Sequence, residues 1–403
     1  MNKVGMIRMA IILFFIHCFT GAVSCSKDSG QSDVEKEESD SSTNVTSKTI
    51  EWDNTTLVKV AAPPTGSSYA GYARLTELDD GQLLCVYEAD GNIWQVISND
   101  QGKSWQDARV IAEKEDGINM AVPDILQLQN GSLLLMYNPR PYNIDPSRLF
   151  AIRVKISADD GATWGEANEI YKAGYQFENG CWEPGAIQLP DGTIQLYFAN
   201  EGVYTGSDEQ NISMLTSADN GQTWSSDPKI ISFRAGKRDG MPVPLLLKGN
   251  ARIAVAIEDN GFVNFKPYII TNTLEENWQT TVLADSPNRI CAMATPVSNQ
   301  VYAGAPYLRQ LSTGETILSY QGTENRSSNL LDNAVMKVMV GDSLARNFTG
   351  RTEPFTIPGG KYGLWNSIAV LKDDTIIALT STNGFSSSGY TEVWMIKGKL
   401  MLK

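Results

Sequence analysis

Three octapeptides in this chain are near copies of one another: SNDQGKSW (Ser98 to Trp105), SADDGATW (Ser157 to Trp164) and SADNGQTW (Ser217 to Trp224). Each reads Ser-x-Asp-x-Gly-x-Ser/Thr-Trp, and the tryptophans fall 59 and 60 positions apart. A recurrence on that scale means repeated supersecondary units, so the chain is expected to fold as an array of similar modules. Within each copy, Asp and Gly make a tight turn. The Asp carboxylate can accept from nearby backbone N–H groups, and Gly is free to take a positive φ. The Trp is a large apolar anchor that tucks the turn under adjoining strands. Asp100, Asp159 and Asp219 are therefore expected to be structural.

A second repeat extends the count to six: LTELDDGQLLCVYE (75–88), ILQLQNGSLLLMYN (125–138), AIQLPDGTIQLYFA (186–199), LLLKGNARIAVAIE (245–258), LRQLSTGETILSYQ (308–321) and AVLKDDTIIALTS (369–381). Each is an apolar run, a short turn of Asp, Asn, Gly or Lys, and a second apolar run, which is the pattern of a β-hairpin. Six such hairpins, each followed by more strand-like sequence, predict an all-β chain. Its fold would be a six-bladed β-propeller of four-stranded antiparallel blades. The last three blades lack a clean octapeptide; TNTLEENW (Thr271 to Trp278) keeps only the Trp. The octapeptide resembles the Asp-box, or BNR, repeat of sialidases and related propeller glycosidases. In that family it is a turn remote from the sugar.

The first residues do not read as part of this fold. Lys3 and Arg8 precede an apolar stretch, Met9 to Phe19, that meets Gly21-Ala22-Val23-Ser24-Cys25. That order predicts a secretory leader over residues 1–24. Cys25 is the expected lipidation point, although Ala22 stands where Leu is usual in such a signal. Ser26 to Lys48 carries six acids against three lysines and little apolar character, as an unfolded tether over residues 25–48 would. Residues 49–403 then form the propeller. This reading places the protein as an outer-membrane lipoprotein of a Gram-negative bacterium, facing the periplasm or the cell surface.

The formal net charge of −13, without a basic stripe, argues against a nucleic-acid partner. Cys85, Cys181 and Cys291 are odd in number and widely spaced, so a disulfide framework is not expected. His17, the only histidine, lies in the leader, which excludes Ser-His-Asp, Cys-His and His-metal chemistry in the rest of the chain. Acid–base or nucleophilic work would fall to carboxylates, tyrosines or lysines. No metal or other cofactor is called for, and nothing indicates a partner subunit, so a monomer is expected.

The start of a hairpin's first strand and the end of its second lie at one edge, so these two positions in each repeat should ring one mouth of the propeller. The starts are Tyr72-Ala73-Arg74, Val122-Pro123-Asp124, Glu183-Pro184-Gly185, Met241-Pro242-Val243, Ala305-Pro306-Tyr307 and Trp365-Asn366-Ser367. Proline recurs in four of the six, as suits the first residue of a strand. The ends are Glu88, Asn138, Ala199-Asn200-Glu201, Glu258, Gln321 and Ser381. Acids, amides and aromatics in otherwise apolar hairpins suit a sugar site. Glu183 and Glu258 come from neighbouring blades. A retaining glycosidase needs two carboxyls about 5–5.5 Å apart, and this pair is the catalytic candidate. Arg74, Asp124, Asn138, Tyr307 and Trp365 are candidates for holding the sugar.

Cys181-Trp182-Glu183-Pro184, then Arg238-Asp239-Gly240-Met241-Pro242-Val243 leading to Glu258, GAPYLRQLSTGETILSYQ (Gly304 to Gln321) and LWNS (Leu364 to Ser367) resemble glycoside hydrolase family 93. These are the exo-1,5-α-L-arabinanases, and the resemblance runs from about residue 50 onward. It implies a retaining exo-hydrolase of linear arabinan whose catalytic glutamates fall on Glu183 and Glu258. Pro244 and Lys248-Gly249-Asn250 depart from the family's pattern. Desolvation by Trp182 would make Glu183 the proton donor and leave Glu258 as nucleophile. Two alternatives stand beside this. A sialidase of the same fold would clamp its sugar carboxylate with three arginines, for which Arg74, Arg140, Arg238 and Arg289 are available. A non-catalytic surface glycan-binding propeller would need neither glutamate.

Overall fold

The computed structural model describes residues 48–249 and 251–402. The expected leader, the lipidation point Cys25 and nearly all of the tether lie outside them, as does Asn250. Among the described residues there are 24 strands in six four-stranded antiparallel sheets, with short 3-10 turns at Phe177–Asn179 and Leu331–Asn333. The chain opens with β1 (Lys48–Ala61). Blade 1 follows as β2 (Ala70–Glu77), β3 (Leu83–Ala89), β4 (Asn92–Ser98) and β5 (Gln106–Ala112). Blade 2 is β6 (Ile118–Gln127), β7 (Leu133–Pro141), β8 (Ala151–Ser157) and β9 (Asn168–Lys172). Blade 3 is β10 (Cys181–Gln188), β11 (Ile194–Asn200), β12 (Asn211–Ser217) and β13 (Lys229–Ser232). Blade 4 is β14 (Asp239–Leu247), β15 (Arg252–Asp259), β16 (Lys266–Thr273) and β17 (Arg289–Cys291). Blade 5 is β18 (Ala303–Gln310), β19 (Thr316–Gly322), β20 (Val335–Gly341) and β21 (Thr349–Thr352).

The last blade joins both ends of the domain. β22 (Gly363–Val370), β23 (Ile376–Thr382) and β24 (Glu392–Leu402) take β1 as their fourth strand, with Lys48 opposite Leu402. The six first strands touch their neighbours in a closed ring, so this is the predicted six-bladed propeller. Second strands are almost wholly buried: in β11 all seven residues, Ile194 to Asn200, are inaccessible. Apolar side chains between blades weld the ring. One cluster joins Leu134 of blade 2, Leu196 of blade 3 and Val255 of blade 4. Cys85, Cys181 and Cys291 are free thiols, and Cys85 fills core.

The octapeptides are turns joining third to fourth strands. Asp159 accepts from the Thr163 N–H at 2.8 Å, the Thr163 hydroxyl at 2.6 Å and the Ser157 hydroxyl at 2.8 Å. The Ser157 oxygen in turn accepts from Gly161 N–H at 2.8 Å. Gly161 has φ +81°. Asp100 and Asp219 make the same bonds in their own turns. Blade 5 builds a longer relative, in which Asp342 accepts from the Leu344 and Arg346 N–H groups and buried Phe348 replaces the Trp. In blade 4 Trp278 is fully buried and its indole donates to the Tyr197 hydroxyl of blade 3 at 2.9 Å. The anchor survives where the turn chemistry has changed.

Every first strand carries a β-bulge near the mouth, two residues from the strand's start in five blades and four in blade 2. Tyr72, Val122, Glu183, Met241, Ala305 and Trp365 all have positive φ, between 46° and 52°. Strand pairing skips at each of them. This revises the reading of the recurrent proline. Pro123, Pro184, Pro242 and Pro306 lie within strands, directly after the bulged residue, where a missing N–H costs no ladder bond.

Candidate active site

A bulge re-aims a side chain, and here six of them gather around the axis. Tyr72, Val122, Met241 and Ala305 form a buried apolar cluster against which Trp365 packs. Tyr72 and Trp365 stack with ring centroids 4.6 Å apart. The sixth member of the ring is Glu183. One carboxyl among five apolar equivalents is costly unless it is used or paired, and Arg140 pairs it, with Nη2 to Oε1 at 3.1 Å. Burial leaves the Glu183 carboxyl above its ordinary value, with Arg140 and then Arg238 and Arg74 offsetting only part of the rise.

The strand-end column has a duty that the sequence did not disclose. Glu88 accepts from the N–H of Val122, Glu258 from Ala305, Gln321 from Trp365 and Ser381 from Tyr72, at 2.6, 2.9, 2.8 and 3.1 Å. Four of the six end residues thus pin the bulge of the next blade. Glu88 and Glu258 share this task, but their surroundings differ. Glu88 is raised by burial and relieved by Arg140, the Val122 N–H, Tyr69 and Arg74. Glu258 is pushed up to about 7, first by burial and further by the Glu183 charge, against the Ala305 N–H and Arg238. The Glu183 charge thus contributes to the rise at Glu258.

Further groups surround them. Arg238 pairs with Glu201, and its Nε is buried without a partner. Glu201 is pushed up to about 7 by burial and accepts from the Trp182 indole at 2.9 Å. The Arg140 guanidinium lies 4.8 Å from the centre of the Trp182 ring, and its Nε donates to Asn138 Oδ1 at 2.6 Å. Close approach explains two glycines. A Cβ on Gly304 would stand 2.8 Å from Glu258 Oε2 and 2.5 Å from the Tyr302 hydroxyl, and one on Gly240 3.0 Å from Glu258 Oε1.

The sugar-holding candidates separate by depth. Trp365 is in the ring, and Asn138 is buried, orienting Arg140. Arg74, Asp124 and Tyr307 sit two residues past their bulges, one pleat further along the axis, and engage each other. The Arg74 guanidinium lies 4.8 Å from the Tyr307 ring centre, and the Tyr307 hydroxyl is 3.4 Å from Asp124 Oδ1. They border a cavity of about 20 Å³ beneath the ring, which Glu183 also lines. Arg289 is fully buried in blade 4, bound to Asp239, Asp259 and Ser232. Tyr302 and Phe177 escaped the sequence reading because they lie before the strand starts, where no repeat marks them.

A family model described as a BNR repeat-like domain matches residues 147–305. Among solved structures, the GH93 α-L-arabinofuranosidase of Fusarium graminearum in complex with arabinobiose aligns with a TM-score of 0.64 and 19% identity, over 85% of this chain and 96% of that one. The fold is that of the sialidase-like propellers. The α-L-arabinanase of Penicillium chrysogenum complexed with arabinobiose gives 0.61 and 18%, over 85% and 97%. The NanB sialidase of Streptococcus pneumoniae gives 0.57 and 13%, over 84% and 69%. No curated protein matches the chain.

Proposed function

We propose that this propeller is an exo-acting retaining glycoside hydrolase of linear α-L-arabinan, with Glu183 and Glu258 as its two carboxyls. The observation that carries the reading is the exception in the bulge ring. Five positions are apolar, and the sixth is a carboxyl held against an arginine and electrostatically coupled to Glu258. The solved structures of this fold that hold arabinobiose support the sugar.

The electrostatics favour a division of labour opposite to the one Trp182 suggested. Glu258, with a value near 7, keeps its proton close to neutrality and can give it to the leaving glycosidic oxygen. Glu183, whose carboxylate form Arg140 favours, attacks the anomeric carbon, forming a glycosyl-enzyme as the C–O bond breaks. Glu258, now a carboxylate, takes a proton from water. The resulting hydroxide equivalent attacks the same carbon and releases Glu183, with configuration retained.

A neutral sugar fits better than a sialic acid. Arg140 and Arg238 are already engaged by Glu183 and Glu201, Arg289 is sealed among aspartates, and Arg74 is stacked below the ring. A product profile on linear arabinan beside a sialylated substrate tests this. Release of arabinobiose alone is expected, and release of sialic acid alone would overturn it. The proposal includes secretion, a lipid anchor at Cys25 in the outer membrane and a monomeric propeller. Loss of membrane association in Cys25→Ser is the corresponding check.

A further inference from the structure

Six residues before Glu183 an aromatic side chain leaves the core. Phe177 is 63% exposed, yet its ring centroid lies 4.7 Å from that of buried Trp182, which in turn lies 4.8 Å from Phe150. Lone exposed apolar residues are common and need no explanation. This one is held in place by the chain around it. Gly174 N–H donates to Asn179 O at 2.7 Å, Glu201 N–H to Gly180 O at 3.0 Å, and the Asn179 amide to Tyr204 O at 3.1 Å. A Cβ on Gly174 would come 2.9 Å from the Asn179 carbonyl oxygen, and one on Gly180 would come 2.6 Å from the Trp182 ring. The loop between β9 and β10 is closed so tightly that two of its positions require glycine.

The direction of the strands places this loop. β7 ends at the mouth with Asn138 and Arg140, β10 starts there and β11 ends there. The three connections that follow or precede them therefore rim the mouth on the side of blades 2 and 3. Tyr142, Ile144, Phe177 and Val203 are all exposed on these connections. Of these, Phe177 is the one whose ring packs on Trp182, the residue next to Glu183.

We propose that Phe177 is an outer sugar platform, which stacks on the apolar face of a unit of the polysaccharide other than the two flanking the cleaved bond. This rests on the glycosidase reading and deepens it, since the platform would make the site prefer a chain over a short oligomer. Aromatic rings supply contact area at little cost in side-chain entropy, and binding remote from the reacting bond raises turnover of longer substrates.

The test compares the native protein with Phe177→Ala and Phe177→Leu on linear α-1,5-arabino-oligosaccharides of increasing length. The gain in kcat/KM from the shortest to the longest oligomer is expected to fall at least tenfold in both variants, because leucine keeps volume but not the flat face. Binding of the same series to Glu258→Gln and to Glu258→Gln with Phe177→Ala, by calorimetry, gives a readout independent of hydrolysis. Native length dependence in both variants would overturn the platform and leave the arabinanase reading intact. Failure of the native protein to bind or cleave any oligomer would overturn that reading, and the platform with it. Self-association of the native protein abolished by Phe177→Ala, with length dependence unchanged, would reassign the rim to contact between copies.

Discussion

Replacing Glu258 by glutamine should stabilise the fold at neutral and alkaline pH while removing catalysis. Glutamine keeps an oxygen for the Ala305 N–H, so the bulge of blade 5 stays pinned. What it removes is a charge in a buried place beside Glu183. A rise from 4.5 to about 7, at 1.36 kcal/mol per pH unit, corresponds to about 3 kcal/mol. The sign follows from the direction of the shift. Below about pH 4.5 the carboxyl is protonated in both folded and unfolded chains, and Glu and Gln proteins should be equally stable. Between about 4.5 and 7 the folded state binds the extra proton, so native stability falls with rising pH relative to the variant. Above 7 the difference is constant. In thermal unfolding at pH 8 the variant should melt roughly 3–6 °C higher, against no difference at pH 4. Turnover should fall on the order of 10²–10⁴-fold. A variant no more stable than the native protein at pH 8 would show that Glu258 is comfortable as a carboxylate. It would then have no claim to be the proton donor.

Azide should separate the two glutamates by stereochemistry: Glu183→Ala is expected to give a glycosyl azide of inverted configuration, and Glu258→Ala one of retained configuration on substrates with good leaving groups. The reverse pattern, read by NMR, would restore the assignment drawn from Trp182. Arg140→Met removes the cation that lowers the Glu183 carboxyl, so the acidic limb of the kcat/KM profile should move to higher pH; an unmoved limb would assign it to another group. Ser157→Ala leaves the Gly161 N–H without its acceptor and should cost about 1–3 kcal/mol in urea unfolding, with the rate per folded molecule unchanged. A large loss of that rate would make the octapeptide turn part of the site.

The sequence made the blades legible because hairpins are written in local periodicity and in turn residues, and six copies reinforce one another. It also located the mouth, since strand starts and ends are fixed by the hairpins. The local conformation at the mouth was hidden. Positive φ at Tyr72 or Val122 has no signature in a single residue, for neither type favours it. Without the bulge, Pro123 and Pro184 read as strand starts, and the bulge-pinning task of Glu88 and Glu258 stays out of sight. Depth along the axis was equally invisible, which is why Arg74, Asp124 and Tyr307 were grouped with residues of the ring. The pairing of Arg140 with Glu183 joins two blades, and no spacing within either hairpin encodes it.

The pairing of β1 with β24 has a consequence for how the protein is made. The strand that closes the ring is synthesised before any blade, and its partner Glu392–Leu402 follows all the other strands of the ring. At ribosomal speeds the interval is on the order of tens of seconds. Throughout it an extended segment has both edges open to other chains, the hazard of any unpaired strand. The composition of β1 meets that hazard. Lys48, Glu51, Asp53 and Lys59 interrupt its apolar residues, and the register breaks between Asp53 and Val58. Charge and irregularity at such an edge oppose pairing with a stranger. β24 overcomes them because it comes as one edge of the sheet it forms with β22 and β23.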